Sequence, residues 1–406
     1  MNIPKLRFKD NNDNDYPNWV NSTIGKSGYF YYGKSAPKWS ITDTATTPCV
    51  RYGELYTTHN IIVKKIYSYT NIPKENLKFS TGNEVLVPRV GEEPLDFCKC
   101  CYLPFKDVAI GEMISVYNTK NNPLFISYMF NGTMKYKFAR LVEGGNVSNL
   151  YYSYLENISI NLPCLEEQKK IANFLTTVDK KITNLENTII SLENQKKGLL
   201  QQIFSQKLRF KDKNGNNYPN WEKKKLGDIG SFSRGGNLSK SDLSKKGTSC
   251  ILYGELYTYY NEFATEIKSK TLNTTNLVLS KKYDVLLPLS GETAEDISTC
   301  TCIFFDDIAL GSDLLIFRSS FFDSRFMSLL LKYKYKYKIA QIAQGKSIVH
   351  ISEKNIKNIN IKIPCIEEQQ NIADFILIFT KKLENQKAQL EHWKQIKKGL
   401  LQQMFV

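Results

Sequence analysis

Apolar residues in the stretch 171–204 fall at Ile171, Leu175, Val178, Ile182, Leu185, Ile189, Leu192, Leu199 and Ile203. The steps alternate four and three, with one polar interruption at Lys196. Their mean of about 3.5 residues is the period of a helix that lies along another helix. At about 1.5 Å per residue such a helix spans roughly 50 Å. Ahead of it stands Leu162-Pro163-Cys164-Leu165-Glu166-Glu167-Gln168, a proline to open the helix and acids that suit its N-terminal dipole. The pattern returns at the end of the chain. Ile363-Pro364-Cys365-Ile366-Glu367-Glu368-Gln369 leads into Ile372, Ile376, Phe379, Leu383, Leu390, Trp393, Leu400 and Met404. Lys397 interrupts this stripe where Lys196 interrupts the first, and Lys-Lys-Gly-Leu-Leu-Gln-Gln closes both (196–202 and 397–403). Two long helices are predicted, each with a natural partner in the other. Unrelated surface helices would not share both the break and the tail.

The repeat extends to the whole chain. Lys5-Leu6-Arg7-Phe8-Lys9-Asp10 and Tyr16-Pro17-Asn18-Trp19 answer to Lys207-Leu208-Arg209-Phe210-Lys211-Asp212 and Tyr218-Pro219-Asn220-Trp221. Tyr52-Gly53-Glu54-Leu55-Tyr56 answers to Tyr253-Gly254-Glu255-Leu256-Tyr257, and Ala109-Ile110-Gly111 to Ala309-Leu310-Gly311. Glu84-Val85-Leu86-Val87-Pro88 with Gly91-Glu92 matches Asp284-Val285-Leu286-Leu287-Pro288 with Gly291-Glu292. Matching positions stand 200 to 202 residues apart, a period that means a duplicated domain and not a solenoid. Each copy reads as a mixed α/β globule followed by a long helix, an α+β chain. Strands are predicted at 61–66, 84–87, 251–253, 284–287 and 359–363. Helices are predicted at 125–142 and 326–344, although the lysine–tyrosine alternation of 332–338 also fits a strand. The copies agree at glycines, prolines and apolar positions. They differ at 24–47 against 229–248, and Arg89-Val90 becomes Leu289-Ser290. One scaffold with different loops points to one kind of task on two targets.

Length permits two or three domains, and 42% hydrophobic with 23% charged residues excludes wholesale disorder. A net charge of +15 directs attention to a polyanion. No apolar run is long enough to span a bilayer, and the first residues carry no export pattern. The nine cysteines are then expected to be thiols, and the chain cytoplasmic.

Catalytic motifs fare poorly. Gly28-Tyr29-Phe30-Tyr31-Tyr32-Gly33-Lys34-Ser35 satisfies the P-loop spacing, but its interior is aromatic, Pro37 spoils the following helix, and the second copy lacks it. Cys98-Lys99-Cys100-Cys101 and Cys300-Thr301-Cys302 lack zinc spacing and a second ligand pair, so cysteines alternating on a half-buried strand are expected. The acid pairs 166–167 and 367–368 are accounted for as first-turn helix residues. Asn122-Pro123-Leu124-Phe125 only approaches an amino-methyltransferase motif, and no glycine-rich cofactor loop follows a strand. What remains is basic and aromatic: the run 332–338, its counterpart Lys135-Tyr136-Lys137-Phe138 with Arg140, and the loops Ser233-Arg234-Gly235-Gly236 and Gly345-Lys346-Ser347.

These features together resemble the DNA-specificity subunit of a type I restriction-modification system. The resemblance rests on Tyr-Gly-Glu-Leu-Tyr, Asp284-Val285-Leu286-Leu287-Pro288, Gly345-Lys346-Ser347 and the Pro-Cys-Leu/Ile-Glu-Glu-Gln lead-ins, in order and doubled, over essentially the whole chain. Gly144-Gly145-Asn146 departs locally from the pattern of Gly345-Lys346-Ser347. The resemblance implies target-recognition domains at 1–163 and 207–363 and spacer helices at 164–206 and 364–406, paired as an antiparallel coiled coil. Each recognition domain would read half of an asymmetric site in double-stranded DNA. Two methylation subunits holding S-adenosylmethionine would methylate adenine N6, and two restriction subunits using ATP and Mg would cleave. No cofactor or metal is expected in this chain. Candidate DNA contacts are Lys34, Arg89, Lys135, Lys137, Arg140, Arg234, Lys240, Lys332, Lys334, Lys336, Lys346 and Ser347. Candidate interface residues on the helices are Phe174, Leu185, Leu192, Leu199, Phe204, Phe375, Leu383, Leu390, Trp393 and Leu400. The rivals are a stand-alone DNA methyltransferase or ATPase, which would itself bind cofactor, and a coiled-coil scaffold without sequence preference.

The matched stripes are expected to act as a ruler between half-sites. Four residues inserted at Thr183 lengthen one helix by about 6 Å, against about 3.4 Å per base pair of B-DNA. Methylated sites mapped in cells should then show a spacer longer by one or two base pairs with both half-sites unchanged. Altered half-site bases at constant spacing would sink the ruler.

Overall fold

The computed structural model describes residues 4–91, 93–144, 148–345 and 348–405. In each copy a strand near the beginning pairs with one at the end: Val20–Thr23 runs antiparallel to Ser159–Leu162, and Glu222–Lys225 to Asn360–Ile363. The copy closes on itself just before its long helix starts. Two larger sheets lie between these ends, with a two-stranded one beside them (Val90–Gly91 with Ser148–Asn149, and Ser290–Gly291 with Val349–His350). In the first copy one sheet orders Gly28–Tyr32, Ile114–Thr119, Glu84–Pro88 and Cys101–Leu103, all antiparallel. The other orders Ser68–Thr70, Thr47–Val50, Lys106–Ile110 and Phe79–Thr81, with one parallel pair at its centre. The second copy repeats both. Ser231–Arg234, Leu314–Arg318, Val285–Pro288, Thr301–Ile303 and Phe263–Ala264 form one sheet. Leu243–Ser244, Ser269–Thr271, Thr248–Ile251, Ala309–Leu310 and Val278–Leu279 form the other.

The long helices span Leu165–Phe204 and Ile366–Met404. Contacts divide the chain into two units, residues 1–186 with 388–406, and residues 187–387. Each unit thus holds the start of one long helix and the end of the other. In the first, Ile171, Ala172 and Leu175 enter the core beside Met404 and Phe405, and Lys397 and Lys394 pair with Asp179 and Glu186. In the second, Ile372, Ala373 and Ile376 join Leu200, Ile203 and Phe204, and Lys387 pairs with Glu193. Within each unit the two helical segments run antiparallel, since rising numbers on one meet falling numbers on the other.

The shared motifs have internal causes. Glu54 accepts the Arg51 amide and the Ser68 hydroxyl, and Glu255 accepts the Leu252 amide at 2.7 Å and the Ser269 hydroxyl at 2.5 Å. Leu55 and Leu256 are wholly buried beside them. Gly33 and Gly235 are required because a Cβ there would meet the carbonyl oxygens of Gly111 and Gly311 at 2.1 and 2.0 Å. In the helix lead-in, Glu167 is fully buried and takes two bonds from Arg7 at 3.0 and 2.8 Å, plus the Trp19 indole at 3.2 Å. Glu368 takes two from Arg209 at 3.1 and 2.6 Å. Gln168 and Gln369 accept the amides of Asn122 and Asp323 and donate to the carbonyls of Pro163 and Pro364. First-turn acidity therefore explains only Glu166 and Glu367, which stay exposed.

Several strand and helix boundaries differ from expectation. The stretch 61–66 is not a strand; Ile62 makes a single bridge to Tyr102, and the regular strand begins at Ser68. The 251–253 strand is shifted to Thr248–Ile251. The helix expected at 125–142 breaks into Pro123–Asn131 and Lys135–Ala139, around Gly132. Its counterpart is helical through the lysine–tyrosine run, but passes through a π turn at Leu330–Lys334, closed by the Tyr335 amide on the Leu330 carbonyl. The clustered cysteines at 98–101 and 300–302 are buried, yet the strands begin only at Cys101 and Thr301.

Removing one partner of a buried ion pair leaves the other charge uncompensated and costs about 3 kcal/mol. Glu167→Ala should therefore depress the denaturant midpoint of the chain strongly. Glu166→Ala on the exposed side of the same turn should stay within about 0.5 kcal/mol. Equal effects would show that helix-dipole charge, and not the Arg7 clamp, matters here.

Candidate nucleic-acid interface

The P-loop candidate is a strand. Gly28–Tyr32 pairs with Ile114–Thr119, and the next element after Ser35 is the three-residue 3-10 turn Lys38–Ser40, not the α-helix a P-loop needs. Among the described residues no group of three or more His, Cys, Asp or Glu side chains could hold a metal ion. The clustered thiols are satisfied otherwise. Cys98 donates to the Lys135 carbonyl at 2.8 Å and Cys300 to the Ser328 carbonyl at 3.1 Å, while burial pushes their pKa values up to about 11 and about 12. No helix among the described residues is long and apolar enough to cross a membrane.

Three lysines of the basic run 332–338 have partners within the chain, while Tyr337 and Lys338 stay exposed. The Lys334 ammonium donates to the Phe204 carbonyl at 2.7 Å and lies 5.0 Å from the Trp221 ring centre. Lys336 pairs with Glu295 at 2.5 Å. Lys332 faces Glu262, and burial, resisted by that carboxylate, holds its pKa below the usual lysine range. Glu262 itself takes Lys196, the Tyr333 hydroxyl at 2.9 Å and the Thr380 hydroxyl at 3.1 Å. Burial alone would raise the Glu262 pKa; the Lys196 ammonium outweighs it and leaves the carboxyl below its ordinary value. Lys332, Lys334 and Lys336, expected on phosphates, thus have partners inside the chain. A cleft of about 700 Å³ beside them is lined by Lys196, Glu262, Lys332 and Lys336. Its counterpart in the first unit, about 840 Å³, is lined by Lys135, Tyr128, Asp179 and Lys397.

Exposed cations lie elsewhere. Lys137 and Arg140 are exposed on and just after the short helix Lys135–Ala139. Lys34 is exposed and reaches the Glu75 carbonyl at 3.4 Å. Arg234 and Lys240 are exposed at the end of one strand and the start of a 3-10 turn. The Arg89 guanidinium stacks 4.6 Å from Tyr32 and 5.4 Å from Tyr151, and its Nε is buried without a hydrogen-bond partner among the described residues. The second unit has buried Leu289 at this place; both backbone amides bind the matching carbonyls of Met113 and Asp313. Lys346 and Ser347 lie outside the described residues, as do Gly145 and Asn146.

Sequence reasoning missed the exposed aromatics Trp39, Tyr67 and Tyr69, although Trp39 falls in the segment 24–47 where the copies diverge. That divergence was the available signal. On the helices, Leu185, Leu192, Phe204 and Leu383 are buried in the chain's own packing, with Leu199, Leu390, Trp393 and Leu400 half-buried. The buried four serve the chain's own packing, while the half-buried four keep part of their surface in water. Phe174 and Phe375 remain exposed, edge-on to Phe8 and Phe210, and Leu165 and Ile366 are exposed at the helix starts.

Comparison with known proteins agrees with this architecture. The putative type I restriction enzyme MjaX specificity subunit of Methanocaldococcus jannaschii is 26% identical over 298 residues, 70% of this chain and 67% of that one. The type I restriction enzyme MjaVIII specificity subunit of the same organism is 25% identical over 317 residues, 74% of each chain. In fold, the crystal structure of a type I restriction-modification system S subunit from M. genitalium matches 100% of this chain and 99% of its own, with a TM-score of 0.63 at 17% identity. The model of the type I restriction modification DNA specificity domain matches twice, at residues 8–194 and 218–392, and with nearly the whole chain inside these two matches the protein belongs to that family.

Proposed function

We propose that each unit reads one half of a split, asymmetric site in double-stranded DNA, and that partner subunits act on the site so chosen. The observation that carries this reading is a doubled scaffold with unlike surfaces. The Arg–Glu clamps, the Glu54 and Glu255 bonds and the Gln168 and Gln369 bonds repeat atom for atom. The side chains set on that frame do not all repeat: half-buried Arg89, stacked between two tyrosines, has buried Leu289 as its counterpart, and exposed Trp39 lies in the segment 24–47 where the copies diverge. Two readers of different sequence built on one frame need this division.

In this reading the chain supplies choice and no chemistry. Two methylation subunits carry S-adenosylmethionine and methylate adenine N6. Two restriction subunits carry ATP and Mg. Phe174, packed edge-on to Phe8, and its repeat Phe375, packed on Phe210, give methylation subunits two equivalent exposed aromatic places to dock. The assembly works on cytoplasmic DNA.

Phosphate contacts are assigned to the exposed cations. Replacing Lys137 and Arg140 together by alanine should weaken binding to all duplexes and make the salt slope shallower by about two units. Lys334→Ala should instead lower stability and leave the slope alone. An unchanged slope in the double variant would remove these cations from the interface.

The duplication also sets the outcome of a cut after Gln206. Leu199-Leu200-Gln201-Gln202-Ile203-Phe204 is nearly identical to Leu400-Leu401-Gln402-Gln403-Met404-Phe405, whose last two residues fill the first unit's core. The truncated chain should pair with a second copy through this segment. With methylation subunits present, the dimer should modify a palindromic site built from one parental half. A monomer that still modifies the parental asymmetric site would contradict the reading.

A further inference from the structure

Resting on that reading, one pair of side chains in each unit stands out as the place where the two readers differ. The scaffold beneath the pair is the same in both. Ser68 and Ser269 donate to Glu54 and Glu255. Two residues further on, buried Thr70 and Thr271 accept the amides of Ile72 and Asn273. Each threonine also ties down a 3-10 turn. Thr70 shares a 2.8 Å hydrogen bond with the Ser40 hydroxyl, and Thr271 donates to the Asp242 carbonyl at 2.8 Å. These bonds align Lys38-Trp39-Ser40 with Lys240-Ser241-Asp242, and Tyr69 with Lys270.

The residues between the buried anchors point outward. Trp39 is 72% exposed and Tyr69 41% exposed. In the second unit Ser241 and Lys270 are exposed at the same two places, with Ser241 hydrogen-bonded to Ser239. Tyr67, 56% exposed, adds a third ring beneath the Lys65 ammonium at 5.5 Å. Water-facing tryptophan on a backbone fixed by buried hydrogen bonds loses apolar burial without gaining internal contact. The exposed cations Lys38, Lys64 and Lys65 nearby match a polyanion.

We propose that Trp39 with Tyr69, and Ser241 with Lys270, are matching base-reading pairs that contact duplex DNA. The aromatic pair reads through apolar contact, which in the major groove selects the thymine methyl. The polar pair reads through donors, of which a lysine suits guanine O6 and N7. One half-site therefore requires an A·T pair where the rings touch, and the other a G·C pair where Lys270 touches.

The test uses the full chain assembled with its methylation subunit. Methylated adenines mapped for the parent protein define the bipartite site. If the parent shows no such site, the functional reading itself fails, whatever the variants do. If it does, Trp39→Ala with Tyr69→Ala should weaken the parental duplex about tenfold, leave a random duplex unchanged, and relax one A·T position in one half-site. Lys270→Ala should relax a G·C position in the other half. Trp39→Phe, which keeps a ring, should stay within about threefold of the parent, and the parent should lose tryptophan fluorescence on binding the duplex to an extent that this variant does not. Unchanged discrimination, relaxation of the same half-site by both sets, equal loss on random DNA, or failed assembly with site choice intact would each overturn the proposal. Both alanine variants alter only exposed side chains, and unchanged thermal midpoints confirm that the folded state is being compared.

Discussion

A buried carboxylate at the first turn of each long helix is the point on which the rest of each unit hangs. A charge removed from water costs several kcal/mol unless it is paired and hydrogen-bonded. Glu167 and Glu368 are fully buried, and the arginine fork that meets each is the geometry that satisfies both oxygens at once. The same guanidinium donates to the carbonyl of Pro17 or Pro219, so the arm ahead of the globule is held as well. The next residue, Gln168 or Gln369, holds the amide that opens the inner helix. Arm, inner helix and closing strand thus converge on a single helical turn, which fixes the direction in which each long helix leaves its globule.

The interrupting lysines are bonded to different partners in the two units. Lys196 meets Glu262, which comes from the globule and also receives Tyr333 and Thr380. Lys397 meets Asp179 at 2.6 Å, which comes from the other long helix and receives the Tyr128 hydroxyl at 2.7 Å. A polar residue in an apolar seam costs stability and fixes register, because only one alignment brings it to its partner. Identical helix tails therefore end in unlike sockets, one globular and one helical. The duplication is symmetrical in sequence and asymmetrical in its polar contacts.

The helices were legible because their stripe keeps one period over many turns and repeats with its flaw. Glu84–Pro88 and Val285–Pro288 were legible as apolar runs bounded by turn residues. The stretch 61–66 was misread because its β-branched residues go to different places: Val63 enters one core, Ile61 leans on another, and Ile62 bridges Tyr102. Tertiary contacts, not propensity, decided it. The alternation of 332–338 misled for another reason. A π turn adds a residue to the winding at Leu330–Lys334, so buried Tyr335 and the inward lysines follow neither a regular helix nor a strand. The partners of those lysines, buried Glu262 and exposed Glu295, are far away in sequence, so no local pattern announced the pairing.

What the sequence did announce, a shared frame under unlike loops, has a physical basis in strand geometry. Successive side chains on a strand face opposite sides. In Ser68–Thr70 and Ser269–Thr271 the outer two residues of each strand bond inward to the frame, and the middle one faces water. Tyrosine can stand for lysine there because both are exposed, and the inward bonds are made by their neighbours on either side. The same separation holds at Trp39 and Ser241, each flanked by a residue tied to the threonine. Stability and reading are thereby assigned to alternate residues of one strand. A surface so built can change what it recognises while keeping its fold, which is the property a duplicated reader with two different targets requires.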